Sequence, residues 1–385
     1  MSTAVATARR MLEHTGEHPV ISVYLDLDPS RFATAPARAT QVRSLIDEAE
    51  RDGRLARDGL SHADRTTLTA DLERLEAYLG SDEPPVSGAR GLAVFCSGQD
   101  DLFEAVPLPV ATPARVVIAP TPYIEPLVAG PHEGRVAVAL ISHRTGRILV
   151  GDLAELTESE DIADNVHGRH SRGGWSQSNY ERSIEADVEH HLRRVADELH
   201  REWQQERFAQ LALGGTAQDV DQFRSELHND LRPLLLDGRL DLEVEAASVA
   251  DIRNALEPLL ERASEAATAA ALADFENRIG AGSRAARGVE DTLAALNERR
   301  VETLLLARNF AARGVRCPQC GLVYPEGTAT CPADGSATTQ IADLRETVIQ
   351  TAVLQDASVL VFGEGSDPAP PVLQRGGGMA ALLRF

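Results

Sequence analysis

Residues 167–182, His167-Gly-Arg-His-Ser-Arg-Gly-Gly-Trp-Ser-Gln-Ser-Asn-Tyr-Glu-Arg182, gather Arg169, Arg172 and Arg182, the histidines 167 and 170, and a single carboxylate, Glu181. This set of residues suits contact with folded RNA. A guanidinium pairs with phosphate through a fixed fork of donors, Trp175 offers a stacking face, and the pair Gly173-Gly174 allows close approach of the backbone. Arg169, His170, Arg172, Trp175 and Arg182 are therefore the candidate RNA-binding residues. The same composition also suits a solvated loop whose arginines offset nearby acidic faces.

A second group is Cys317-Pro-Gln-Cys320, followed after ten intervening residues by Cys331-Pro-Ala-Asp334. Tetrahedral zinc takes four N, O or S ligands, and two Cys-x-x-ligand turns supply them in pairs. The pattern is that of a zinc ribbon whose fourth thiolate is replaced, with Asp334 or a water completing a structural Zn site. The competing reading is three reduced cysteines around a metal-free loop. Cys96 lies in an apolar run and is expected in a core. This placement does not form a secreted disulfide framework.

The elements that must position these groups are carried by 385 residues, enough for two or three domains. Hydrophobic residues make up 43% and charged residues 25%, as in an ordinary globular protein. No apolar run reaches the length that spans a bilayer, and the N-terminal residues lack the pattern of a signal peptide, so no membrane role and a cytoplasmic location are expected. A net charge of −21 excludes non-specific coating of nucleic acid, which needs a summed positive field. Any RNA contact must be local, which returns attention to residues 167–182.

Alternating apolar and β-branched residues predict strands at 20–28, 91–96, 134–142, 147–151, 208–213, 241–246, 301–306 and 357–362. Helical spacing runs through 40–79, broken near Gly53 and Gly59. It recurs in 178–206, where Tyr180, Ile184, Val188, Leu192, Val195, Leu199 and Trp203 share a face. Ser248 with Asp251 caps a further helix through 277, and helices are expected at 289–297 and 341–355. Six prolines within 107–126 mark a crossing between units. Strands and helices alternate, which predicts a mixed α/β (α+β) chain. Paired carboxylates at metal-ligand spacing do not stand out, which argues against a two-metal nuclease. His190-His191 reads as a surface or groove feature.

Gly173-Gly174-Trp-Ser-Gln177, ahead of a long helix, resembles the Gly-Gly-Gln loop of the class-I release factor and Pelota superfamily, in its bacterial branch. In that family the glutamine positions the water that cleaves the ester between peptide and tRNA. The resemblance implies that role for Gln177, with Gly173 and Gly174 allowing the approach, in a peptidyl-tRNA hydrolase for ribosome rescue. Trp175 and Ser176 separate the glycines from Gln177. A similar spacing with a downstream arginine, here Arg182, occurs in quality-control hydrolases. The segment 288–306 resembles the family's C-terminal helix-strand signature, 375–385 its closing segment, and the cysteines its zinc-ribbon-like insertion.

The resemblance implies three domains: 1–129, an N-terminal α/β domain; 130–247, an RNase H-like α/β middle domain with the GGWSQ loop; and 248–385, a kink-turn-protein-like α/β sandwich with the insert 315–338. It also implies binding in the ribosomal A site, contact with rRNA and P-site tRNA, docking of a translational GTPase such as elongation factor Tu, and a monomer off the ribosome. The stop-codon-reading Asn-Ile-Lys-Ser motif has no counterpart. A non-catalytic hibernation factor acting with elongation factor Tu is the alternative implication.

Overall fold

The computed structural model describes all residues except 1–2, 14–17, 29–30, 32–34, 57–61, 82–88, 109, 129–133, 154–155, 164–176, 342 and 364–368. The side chains of some further residues, among them 177–185, are likewise outside the described set. The chain forms two compact units: 4–132 together with 267–385, and 133–266 together with 1–3.

In the first of these units, α1 (Thr3–Glu13) precedes β1 (Val20–Asp26), α2 (Ala35–Ala56) and α3 (His62–Leu79), then β2 (Gly91–Ser97), β3 (Leu102–Leu108), β4 (Arg115–Ala119) and the short α4 (Glu125–Val128). The strands form one antiparallel sheet in the order β3-β2-β1-β4. Every residue of β1 and β2 is buried, so both faces of this sheet are covered. On one face Ile21, Val23, Leu92 and Cys96 pack with Leu45, Ile46, Leu72 and Leu75 of α2 and α3. Cys96 is a core residue as expected, and burial, with Asp71 beside it, pushes its thiol up to about 12. The Pro-rich stretch 107–126 accommodates β4 in its Pro-free centre, as an edge strand. Helix α1 was not legible in the sequence, yet Ala4, Ala8, Met11 and Leu12 are buried along it.

The second unit begins with β5 (Val136–Ile141), β6 (Thr145–Gly151) and β7 (Thr157–Ala163), continues through α5 (Gln177–Glu206), β8 (Gln210–Gly215) and α6 (Ala217–Glu226), and enters α7 (Val249–Gly280). Its sheet runs β7-β6-β5-β8, with β5 and β8 parallel. The strand expected at 241–246 is not formed. Ahead of it the chain touches the sheet by isolated bridges from Leu235 to Leu211 and from Leu240 to Gly214, after which Arg147 takes the carbonyls of Val244 and Ala247 at 2.8 Å each. Once a side chain satisfies those carbonyls, no ladder is needed for them. Ile252, Leu256 and Leu259 of α7 pack with Val138 and Leu140 of β5, which is why this unit extends to 266.

The rest of α7 returns to the first unit, where Phe275 is fully buried against Leu305 and Leu373. There follow β9 (Ala285–Arg287), α8 (Val289–Asn297), β10 (Val301–Ala307), β11 (Gly314–Arg316), β12 (Val323–Pro325), β13 (Thr339–Ile341), α9 (Leu344–Leu354), β14 (Ser358–Phe362), α10 (Pro371–Gln374) and β15 (Met379–Leu383). The sheet β14-β10-β15-β9 carries the small sheet β12-β11-β13 between β10 and α9. Helix α9 starts later than expected because Asp343 caps it, accepting the Glu346 amide at 3.2 Å, while Ile341 is claimed by β13.

A seam of buried polar groups joins the N- and C-terminal segments of this unit. Arg345 on α9 makes a two-pronged pair with Glu125 at 2.6 and 2.8 Å and donates to the Ala307 carbonyl at 2.7 Å. Burial works against the Glu125 charge, but Arg345 outweighs it and the carboxyl is lowered. Glu346 accepts the Ile124 amide at 2.6 Å and an N–H of Gln350 at 3.1 Å, while its second oxygen has no hydrogen-bond partner. Burial raises its carboxyl to about 7.

Candidate functional site

Helix α5 is the element that carries the sequence-predicted loop. Val188, Leu192, Val195 and Leu199 line its buried face against β5 and β6, as the spacing predicts. At Gly146 a β-carbon would overlap the Val195 side chain, so glycine is what lets the helix sit this close to β6. Gly146 lies opposite Ile141, the last residue of β5, and Glu206 at the helix end pairs with Arg135 just before β5. The helix therefore runs antiparallel to β5. Gln177 opens it, 11 residues and ~16 Å of helix ahead of Val188, the first α5 side chain described as buried in this core.

Gly173, Gly174, Trp175, Arg169, His170 and Arg172 lie outside the described residues. Gln177 and Arg182 lie in the first turns of α5, with their side chains outside the described set. Of the histidine pair on this helix, His190 is exposed and His191 is buried, so only the first is a surface feature.

The cysteine group is brought together. Cys317, Cys320, Cys331 and Asp334 each offer one ligand atom, all within 4.8 Å of one another. Cys320 and Cys331 sulfurs are 3.6 Å apart, and Cys317 lies 3.2 Å from an Asp334 oxygen. A tetrahedral ion with bonds of about 2.3 Å holds its ligands about 3.7 Å apart, so the group is sized for one. The two ligand turns are alike. Gly321 and Gly335 follow the second ligand of each with φ of 75° and 77°, and each amide returns to the carbonyl of the first cysteine at 2.9 Å. That left-handed turn is glycine's natural place.

Second partners fix the ligands. The Ser336 amide donates to Asp334 at 2.9 Å, and the Tyr324 hydroxyl lies 3.4 Å from Cys331. The Ser336 amide and Cys317 hold the Asp334 carboxyl well below the usual range. Burial opposes the Cys331 thiolate, but Tyr324 and nearby amides outweigh it and the thiol is lowered. At Cys320 the Leu322 amide favours the thiolate, yet desolvation and the crowding of Cys317, Cys331 and Asp334 push the thiol up to about 12. Asn297 at the end of α8 anchors the insert through both its amide groups to the Val323 backbone, at 2.8 and 3.0 Å. These residues could hold a metal ion, and Asp334 is placed to supply the fourth ligand.

The sequence reading missed the Arg345–Glu125 pair, whose partners lie 220 residues apart. It also missed the contact of His143 Nδ1 with the Asp219 carboxylate, at 2.6 Å. The spacing Thr216-x-x-Asp219 is a helix-start signal that could have marked one side of it.

Residues 122–268 match the family model described as bacterial archaeo-eukaryotic release factor family 10. That match makes this middle region, rather than the whole chain, similar to the release factor family. No curated protein matches the chain. Among solved structures, an archaeal translation termination factor, aRF1, is 18% identical over 99% of this chain and 97% of its own, with a TM-score of 0.28. Pelota of Archaeoglobus fulgidus is 15% identical over 74% of this chain and 77% of its own, with a TM-score of 0.36. Dom34 of S. cerevisiae, described as a termination-like factor interacting with Hbs1, is 8% identical over 77% of this chain and 79% of its own, with a TM-score of 0.38. Among the described residues no helix is long and apolar enough to cross a membrane.

Proposed function

We propose that this chain is a cytoplasmic translation factor that enters the ribosomal A site of stalled or idle ribosomes and hydrolyses peptidyl-tRNA. The observation that carries this reading is the place of Gln177 at the start of α5, ~16 Å of helix ahead of Val188, the first residue of α5 described as packed on the sheet. A residue so placed can enter a narrow site while the body stays outside. Gln177 orients a water toward the ester carbonyl, a contribution of positioning in which the ribosome supplies the surrounding charge. Gly173 and Gly174 permit the approach, and Arg169, His170, Arg172, Trp175 and Arg182 contact rRNA and the P-site tRNA.

The family match over 122–268 supports the assignment of this middle region, which includes the loop. The division into 1–129, 130–247 and 248–385 belongs to the same reading, with the last segment docking a translational GTPase such as elongation factor Tu and the chain monomeric off the ribosome. The group Cys317, Cys320, Cys331 and Asp334 holds structural zinc, which would supply the insert with the cross-link that its few buried apolar residues do not.

A second reading is favoured by one observation, the two residues between Gly174 and Gln177. In it the loop plugs the site without chemistry and the chain is a hibernation factor acting with elongation factor Tu. Release of peptide from P-site peptidyl-tRNA on purified 70S ribosomes, measured beside co-sedimentation, separates the two. The hydrolase reading expects Gln177→Ala to release peptide about 100-fold more slowly with binding intact. Tight binding with no release by the wild type establishes the plug, and absence of binding overturns both.

A further inference from the structure

Parallel strands β5 and β8 end side by side, with Ile141 opposite Gly215. Crevices outside the carboxyl ends of parallel strands are where α/β sheets receive ligands. Here His143 follows β5 and Thr216 follows β8, opening α6. Asp219 on the first turn of α6 directs one carboxylate oxygen to His143 Nδ1 at 2.6 Å and accepts the Thr216 hydroxyl on the other at 2.7 Å. The Asp219 side chain is 4% exposed, whereas that of His143 is 48% exposed.

The Asp219 carboxylate fixes which edge of the imidazole faces inward. A ring that meets a carboxylate through Nδ1 carries hydrogen there, so its outward Nε2 is an acceptor when neutral and a donor when charged. Capping α6 does not require this pair, because Thr216 already accepts the Asp219 amide at 3.2 Å. What the pair adds is an imidazole held with Nε2 to solvent. Arg144, next in the same turn, is exposed and has no ion pair among the described residues. The turn itself is rigid: Ser142 Oγ accepts the Thr145 amide at 3.0 Å and donates to Glu245 at 2.9 Å.

A ribose 2′-hydroxyl both donates and accepts, and so fits Nε2 in either form, while a guanidinium on the next residue fits the adjoining phosphate. We propose that His143, oriented by Asp219, and Arg144 form an RNA-backbone contact that reads a 2′-hydroxyl and its neighbouring phosphate. This site is separate from the Gln177 end of α5, since Val195, which packs on Gly146 just after the turn, is ~27 Å of helix away from Gln177. The inference rests on the ribosome-binding reading, in which the strand ends and the start of α5 face the same RNA-rich space.

The test uses the full chain and purified 70S ribosomes carrying P-site tRNA, with affinity from co-sedimentation and 2′-hydroxyl acylation of the RNA at saturating protein. His143→Asn keeps a donor toward Asp219 but removes the outward nitrogen, so a merely structural His143 would be rescued by asparagine. The expected result is affinity about tenfold lower for H143N and for R144A, with unchanged thermal stability, and a nucleotide protected by the wild type that becomes reactive with H143N. Wild-type affinity for H143N, or weakened binding with no change in any nucleotide, overturns the contact, the latter pointing to a ribosomal protein instead. Failure of the wild type to bind ribosomes overturns the parent reading and this inference together, whereas failure confined to the variants leaves the parent reading standing.

Discussion

The Cys317 cluster and the Glu125–Arg345 seam belong to the same compact unit, and both crowd ionisable groups, yet they resolve the crowding in opposite ways. At the seam the anion meets a cation of the chain itself, with two bonds of 2.6 and 2.8 Å, and the Ala307 carbonyl takes a third guanidinium donor. In the insert, three thiols and a carboxylate converge within 4.8 Å with no arginine or lysine among them. A self-compensated group is structural, while a convergent group of thiols and a carboxylate without an internal cation could take one from solution.

The sharpest break in this comparison is removal of the outside cation. The insert's core is small, with Val315, Val323, Cys317 and Cys331 its buried apolar members, so metal chelation or Cys317→Ser is expected to unfold 314–341 while the sheet around β10 persists. Hydrogen exchange by mass spectrometry checks this, with loss of protection confined to the insert and loss of one bound zinc per chain. Protection unchanged by exhaustive chelation would mean that the four groups, like the seam, compensate one another.

Next in size is the loss of the internal cation. Arg345→Met leaves Glu125 partly buried without its partner and is expected to lower stability by about 3 to 5 kcal/mol in urea unfolding at pH 7. Glu125→Gln together with Arg345→Met should recover most of that, because the desolvated charge is gone.

Glu346 sharpens the contrast further, since it sits in the seam without a cation of its own. Its carboxyl is raised to about 7 in the folded chain against about 4.5 when exposed. The folded state therefore holds the proton more tightly, so stability falls as pH rises from about 4.5 to 7 and is flat above. The full effect is on the order of 3 kcal/mol. Glu346→Gln should remove this part of the pH dependence and be more stable than wild type at pH 8, as unfolding at pH 5 and 8 would report. A dependence identical in the variant would remove Glu346 from the account. The smallest effect expected is for Asp334→Cys, which keeps the donor count and should retain one zinc per chain by elemental analysis.

The sequence was most informative where a local pattern met a local need. The spacing of Val188, Leu192, Val195 and Leu199 gave the face of α5, and two Cys-Pro-x-ligand-Gly runs gave the cluster of three cysteines and Asp334, because helix period and tight turns are set by near neighbours. It was least informative where the need was distant. No local pattern links Glu125 to Arg345 or His143 to Asp219, and each pairing exists because the fold closes a long loop. The strand expected at 241–246 failed for the same reason, since Arg147 reaches its carbonyls from another part of the chain. At the candidate site, the sequence supplied the residue types of 167–177, and the structure added the length and direction of the helix that follows them.

The place of Gln177 at the start of α5 is the centre of the account, and cryo-electron microscopy of the wild-type chain on 70S ribosomes with peptidyl-tRNA in the P site tests it most directly. The account predicts density for α5 running into the peptidyl transferase centre with its first turn, at Gln177, beside the CCA end of the tRNA. Density that places the start of α5 away from that centre, with the chain bound elsewhere on the ribosome, would contradict it.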